Sequence, residues 1–475
     1  MLPLGWYYHC LGVILVVLSC WGFFATSHLE QYVFDDQAGF DQHPLLQDGS
    51  RGVSDLVWDP RLWKMDFWGN DMDSVASHKS FRPITTLYLY WIRHTMCPSL
   101  YPEPRDLPRC AHTLVGYTHI VAAIVTYCCV YHLAVASLMP HPKAKAKAKA
   151  NTERKASGLR ASPQISCQCL AVAVASLHSH PAKVESVAAL VGAADILSFI
   201  ACGLSLYLGA IAVLHPAVSQ YRWKWNWKFC ILQLMTLGTS VVAVLCKEVG
   251  IVCPLVIAPL QWLLWAGVRG QQPDSGRMLS WKTVSLTQGL ILGLPWYCLV
   301  TWRVSLHGVP WRLPNITHGD NPLAFELPLF TGALPWPLSW VEDWAIINRV
   351  INLVSPYAYF LRHVLPIYAE YAKLLFFPVR TCADYSFREI EPILQPLGLW
   401  LVGGGVICVL ALWWFASSLY TFIRLTIISS SSIKKDRAAA AAAACIHVSW
   451  ILPLFAAVMF FLPASHLLTP VGTVV

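Results

Sequence analysis

The amino-acid sequence predicts an all-α protein, a polytopic transmembrane helical bundle of about nine to eleven spans with further helices at the lumenal membrane interface. Three observations predict it. Only 13% of the residues are charged and 56% are hydrophobic, where a soluble domain carries about 25% charged residues. Apolar runs near the length that crosses a hydrocarbon core recur along the chain. The basic residues of the hydrophilic stretches cluster in alternate loops, as the positive-inside rule requires.

The apolar runs stand at 5–25, 112–138, 165–178, 194–214, 229–246, 251–268, 283–303, 397–424 and 444–463, with a further candidate at 356–378. The first reads as a retained signal anchor, because Met1 to Thr26 lacks a basic leader and a small-residue cleavage site. The run at 165–178 is short for a core of roughly 30 Å and needs its neighbours or a thinned bilayer. An N-terminus in the cytoplasm places the basic clusters together on that side. They are Lys143 to Arg160, then Arg222, Lys224 and Lys228, then Arg269, Arg277 and Lys282, then Lys434, Lys435 and Arg437. Counting 356–378 as a span would put Lys434 and Lys435 in the lumen, so it is read as a lumenal or re-entrant helix. The net charge of +8 therefore expresses topology and lipid contact, not nucleic-acid binding.

This orientation leaves two long lumenal loops, 26–111 and 304–396, within a single membrane-embedded unit, 1–475. Asn315-Ile316-Thr317 is a glycosylation sequon in the second. Most of the sixteen cysteines lie inside apolar runs, where they behave as small hydrophobes. Cys97, Cys110 and Cys382 fall outside them, and their pairing is not deducible from sequence. Residues 143–150 and the alanine run 438–444 are low-complexity segments.

Four polar groups gather at the lumenal ends of the spans. The first loop opens on Asp35-Asp36, followed by Asp66-Phe67-Trp68-Gly69-Asn70-Asp71. Taken alone, an acid pair reads first as a solvated helix end, but a carboxylate beside Phe34 and Phe40 also suits a general base on a hydroxyl. Next comes His78-Lys79-Ser80-Phe81-Arg82-Pro83. Its cations and hydroxyl suit a phosphate, Arg82 in two-pronged fashion, or equally a lipid head group. Residues 84–97 are too short and polar to span and read as an interfacial amphipathic helix. His178, His180, Lys183, Glu185 and Asp195 form the third group, whose spacing makes no metal site. Lys247-Glu248 at the end of the fifth run is the fourth; it reads as an interfacial ion pair or as a pair facing a lipid phosphate.

These groups, in this order, resemble one family, the transmembrane and tetratricopeptide-repeat-containing protein O-mannosyltransferases. The stretches FDDQAGF, DFWGND, SHKSFRPITTL, HPAKVESVAALVGAADILS, LCKEVGIV, DNPLAF at 320–325 and the terminal FLPASHLLTPVG carry the resemblance. It implies transfer of mannose from dolichyl-phosphate mannose to Ser and Thr of secretory-pathway proteins, at the lumenal face of the endoplasmic reticulum membrane. Asp35 and Asp36 would then supply the catalytic base. His78, Lys79, Arg82 and Lys247 would bind the donor phosphate, with His180, Glu185 and Asp195 in the same pocket. No tightly bound cofactor and no metal ligand is implied, although a divalent ion stays open.

The sequence departs from the family where Ala193 replaces an arginine and His466 an asparagine, and its last residue, Val475, falls where the family continues into tetratricopeptide repeats. The repeat array is therefore expected to be absent. The alternatives are an inactive member, a membrane scaffold or transporter, and a glucose donor. Against a transporter, no internal repeats and no paired broken helices are visible.

Overall fold

The computed structural model describes residues 4–21, 23, 29–33, 35–74, 77, 80–138, 163–179, 184–214, 227–271, 286, 288–307 and 417. The spans expected at 397–424 and 444–463, the helix at 356–378, Asn315 and His466 lie outside the described residues. The main helices are α1 (Leu4–Ser19), α2 (Pro83–Trp91), α3 (Leu107–Leu138), α4 (Pro163–Ser176), α5 (Ala193–Leu214), α6 (Trp227–Cys246), α7 (Cys253–Gln271) and α8 (Leu294–His307). Among the described residues there is no strand, only an isolated bridge between Met65 and Asp71.

Among the described residues, three helical stretches are long and apolar enough to cross a membrane: Pro104–Val135, Leu190–Leu214 and Trp227–Cys246. Shorter apolar helices stand at three of the other expected runs, at His9–Ser19, Cys167–Ser179 and Glu248–Trp262. Large apolar side chains such as Leu15, Leu18, Leu234 and Met235 are exposed on these helices. In a soluble protein such a surface is an aggregation liability; on helices apolar enough to cross a membrane it suits contact with lipid.

Small residues let the helices approach closely. Ala123, Ala134, Cys167, Ala171 and Ala175 bury the seam of α1, α3 and α4 against Val16, Tyr127 and Tyr131. A second seam joins α5, α6 and α7 through Ala201, Cys202, Ala243, Cys253 and Ile257. Hydrocarbon gives no hydrophobic drive to helix association, so close packing and shared polar bonds must supply it. Gln233 of α6 and Gln261 of α7 exchange reciprocal amide hydrogen bonds of 3.0 Å. Gln261 Nε2 also donates to the Gly209 carbonyl of α5 at 2.9 Å, and Gln288 Nε2 donates to Gln261 Oε1 at 3.0 Å. Gln233 and Gln261 are fully buried.

The first loop packs as a cap on one end of this bundle. Phe40, Leu45, Leu46, Leu56, Leu62 and Phe67 share a core with Leu89, Tyr90 and Ile92 of the α2 region and with Ala111, Val115, Leu190 and Ile196 of the spans. The segment 84–97 is helical as expected, as α2 followed by the π-helical turn Ile92–Met96. Thr85, Thr86, Leu89 and Tyr90 are buried, so this helix packs into the cap more than it floats at the interface. Helix α3 begins at Leu107, five residues before the apolar run that predicted it, because a disulfide joins Cys110 to Cys97 and holds its first turn against the cap. That bond settles the pairing left open by the sequence; Cys382 lies outside the described residues.

Candidate active site at the capped end of the bundle

The adjacent acids Asp35 and Asp36 part company. Asp35 is exposed, and its backbone carbonyl accepts the Gly39 N–H at 2.8 Å. Asp36 is fully buried. Its Oδ1 accepts the Val191 N–H at 3.1 Å and its Oδ2 the Val33 N–H at 3.3 Å. His112 of α3, equally buried, brings Nε2 to 3.8 Å from Asp36 Oδ2 while donating to the Gln31 carbonyl at 3.1 Å. Asp36 thus ties the first loop to the turn Leu190–Gly192, which opens α5. Gly39 allows this approach, since a β-carbon there would stand 2.6 Å from Val191 Cγ1.

Burial pushes the Asp36 carboxyl up to about 7, against the backbone N–H groups of Val191, Val33 and Leu190, which pull it down, with a further small push from Asp35. The folded protein therefore holds a proton that the unfolded chain releases at an ordinary carboxylate pKa. Stability should fall as pH rises from about 4 to about 7 and then level off. Thermal unfolding in detergent checks this: the wild-type midpoint should drop between pH 5 and pH 8 by more than that of Asp36→Asn, and equal drops would refute it.

The motif DFWGND folds into a turn around a buried acid. Asp66 Oδ1 accepts the N–H groups of Trp68 and Asn70 at 3.0 and 2.8 Å, and Gly69 takes φ +85°. Only glycine adopts that backbone readily. The turn presents the Phe67 ring to Arg82, whose guanidinium carbon lies 4.9 Å from the ring centroid.

Arg82 immediately precedes α2, where Pro83 suits the first helical position. Its Nε donates to Glu248 Oε2 at 3.1 Å. Lys247 turns the other way, its Nζ donating to Asp195 Oδ1 at 2.5 Å. The neighbours Lys247 and Glu248 therefore do not pair with each other; each crosses to a different segment. Thr85 Oγ1 fastens the corner by donating to the Cys246 carbonyl at 2.8 Å. That carbonyl ends α6 and has no partner within its own helix turn. Thr85→Val should cost about 1–3 kcal/mol by leaving it unsatisfied in a buried place, read as a lowered thermal midpoint in detergent; an unchanged midpoint would refute the clasp.

A continuous set of contacts thus runs from Asp36 through Val191 into α5, from Asp195 of α5 to Lys247, and from Glu248 to Arg82 and Phe67. Of the predicted site residues, Asp35, Asp36, Arg82, Asp195 and Lys247 stand at this end of the bundle, with Asp195 and Lys247 in direct contact. Glu185 falls in the short helix Val184–Ala188. His78, Lys79, His180 and Phe34 lie outside the described residues. His178 is buried between spans: its carbonyl accepts from His119 Nε2 at 2.9 Å, and its Nε2 meets Thr126 Oγ1 at 3.0 Å. Ala193 is fully buried. Among the described residues no group of three or more His, Cys, Asp and Glu could hold a metal ion.

The arrangement combines an exposed carboxylate, a buried one and two cations beside the ends of membrane spans. The relatives of the chain carry a matching name. Protein O-mannosyl-transferase TMTC4 of Mus musculus is 26% identical over 417 residues, covering 85% of this chain and 46% of the relative. TMTC4 of Homo sapiens is 28% identical over 251 residues, covering 53% and 28%. Protein O-mannosyl-transferase Tmtc1 of Drosophila melanogaster is 25% identical over 342 residues, covering 66% and 33%. The chain is related to the TMTC proteins. It spans less than half the length of these relatives. No protein-family model matches the chain, and no solved structure does.

Sequence reasoning passed over several residues of this site. His112 sits in an apolar run 76 positions beyond Asp36 and carries no local signal. Thr85 and Phe67 were visible only as parts of motifs. The crossed pairing of Lys247 and Glu248 needed the fold, because adjacent opposite charges suggest a bond to each other.

Proposed function

We propose that this chain is the membrane-embedded catalytic part of a protein O-mannosyltransferase, a multi-pass protein of the endoplasmic reticulum membrane with its active site on the lumenal side. It transfers mannose from dolichyl-phosphate mannose to Ser and Thr hydroxyls of secretory-pathway proteins. The observation that carries this reading is the convergence of the Asp35-Asp36 loop with Arg82, Lys247 and Asp195 at the capped end of the bundle, in a chain whose relatives are named O-mannosyl-transferases. The Cys97–Cys110 disulfide in the same cap supports an oxidising compartment.

Asp35 takes the proton of the acceptor hydroxyl, which is a weak nucleophile until a base assists it. The oxygen forms a bond to the anomeric carbon of the sugar as the bond from that carbon to the phosphate oxygen breaks. The electron pair leaves with the dolichyl phosphate, whose added charge is met by Arg82 and Lys247, so no acid is needed to protonate it. Asp36 holds the loop and leaves the role of base to Asp35, since it is fully buried and anchored to the backbone N–H groups of Val191 and Val33.

Microsomes from cells expressing the protein test this with dolichyl-phosphate mannose and dolichyl-phosphate glucose, each radiolabelled in the sugar. Label should pass from the mannose donor to Ser and Thr of acceptor proteins. Transfer from the glucose donor alone, or none from either above microsomes lacking the protein, would overturn the reading.

A further inference from the structure

Arg82 is bound in an unusual way for half of an ion pair. A guanidinium meeting a carboxylate commonly offers two N–H groups side by side. Here Glu248 takes only Nε, at 3.1 Å, and the guanidinium carbon sits over the Phe67 ring, 4.9 Å from its centroid. The terminal nitrogens Nη1 and Nη2 have no partner among the described residues, although the side chain is only 17% exposed. Glu248 is itself undersupplied. Its Oε1 is enclosed and has no hydrogen-bond partner among the described residues, so the polar contact the carboxylate makes there is to Arg82. The backbone holding the two is also fixed, by the Thr85 clasp on one side and by the turn Glu248–Val252 on the other.

From this geometry we infer that Glu248 and Phe67 are positioning residues which aim the Nη fork of Arg82 at the phosphate of the lipid-linked donor. The inference rests on the function proposed above and adds two residues to it. A guanidinium held through Nε and seated against an aromatic ring keeps its Nη1–Nη2 edge free, and that edge carries terminal N–H donors in the spacing of two phosphate oxygens. Holding it there before the donor arrives removes the ordering cost that a free arginine side chain would bear on binding. Glu248 is then a brace, distinct from a counter-ion that the phosphate must displace: a displaced carboxylate would have occupied the fork.

The experiment is binding of tritiated dolichyl-phosphate mannose to the detergent-solubilised full protein, alongside kcat and KM for transfer in microsomes. Glu248→Ala and Phe67→Leu should each weaken donor binding roughly tenfold, raising donor KM while kcat stays within about threefold. Glu248→Gln should restore donor affinity to within about threefold of wild type, because the amide oxygen still accepts from Nε and the amide nitrogen takes the place of the unpartnered oxygen. Thermal midpoints confirm that each variant is folded; if Glu248→Ala is not, Phe67→Leu and Glu248→Gln carry the test. Arg82→Ala separates the two levels of the argument. Unchanged donor binding in Arg82→Ala overturns both the phosphate role and the brace. Loss in Arg82→Ala with unchanged or tighter binding in Glu248→Ala overturns the brace alone, and tighter binding identifies a displaced counter-ion. A drop in kcat at constant KM in Glu248→Ala and Phe67→Leu likewise overturns it.

Discussion

Asp35→Asn should lower mannosyl transfer by about 10²–10⁴-fold, the usual contribution of a positioned general base, and leave the thermal midpoint unchanged. Both halves follow from its placement. The side chain is exposed and, among the described residues, only its backbone carbonyl is hydrogen-bonded, so the amide replacement removes a proton acceptor and, beyond a small push on Asp36, nothing structural. Asp36→Asn should behave oppositely in character. It disturbs the bonds to Val33 and Val191, so its loss of transfer should come with an altered stability that varies less with pH than that of the wild type. The comparison is made in microsomes at equal protein level, with thermal unfolding in detergent alongside. Transfer by Asp35→Asn equal to wild type would sink its assignment as the base, and full transfer by Asp36→Asn with unchanged melting would sink the role given to its neighbour.

The second large effect concerns two glycines at the corners of the site. A β-carbon on Gly192 would lie 2.5 Å from the Ser186 carbonyl oxygen and 2.6 Å from its Cα, and one on Gly250 would meet the Ala243 and Val244 backbone. Backbone cannot step aside as a side-chain tip can. Gly192→Ala and Gly250→Ala should each destabilise by about 1–3 kcal/mol or more, in the range of overpacked sites. They should also reduce transfer, because Gly192 shares the turn that gives Asp36 its Val191 bond and Gly250 the turn that holds Glu248. Gly238 is the internal control: nothing lies within 4 Å of its added β-carbon, so Gly238→Ala should melt within about 1 kcal/mol of wild type. Measured midpoints that fail to separate the two corner variants from Gly238→Ala would refute the close-approach argument.

Much of this arrangement was legible in the residues. Long apolar runs announce themselves at any depth of packing, so the helices around 112–138, 194–214 and 229–246 were readable at once. The groups at Asp35-Asp36, Arg82, Asp195 and Lys247 were readable because charge is rare in such a chain and stands out. Partnership was not readable. Lys247 and Glu248 are neighbours, yet an extended backbone at Lys247, with φ −155° and ψ 142°, sends the two side chains different ways. Asp35 and Asp36 are likewise neighbours in chemistry and opposites in burial, a difference decided by the turn that starts α5, 155 residues away. The disulfide needed three-dimensional placement, because cysteines alone do not name their partners.

The buried amides of Gln233 and Gln261, with the half-buried amide of Gln288, give the bundle something that greasy packing lacks, a way to index one helix against another. Leucine and alanine surfaces can slide by a residue and find nearly equivalent contacts. A rise of 1.5 Å per residue would carry the Gln233 amide out of reach of Gln261, breaking both halves of their exchange in a medium with no water to replace them. The lattice therefore fixes the height at which α6 ends. Lys247 and Glu248 follow directly on that end, so glutamines deep among the lipid-facing helices set the level at which Arg82 is met.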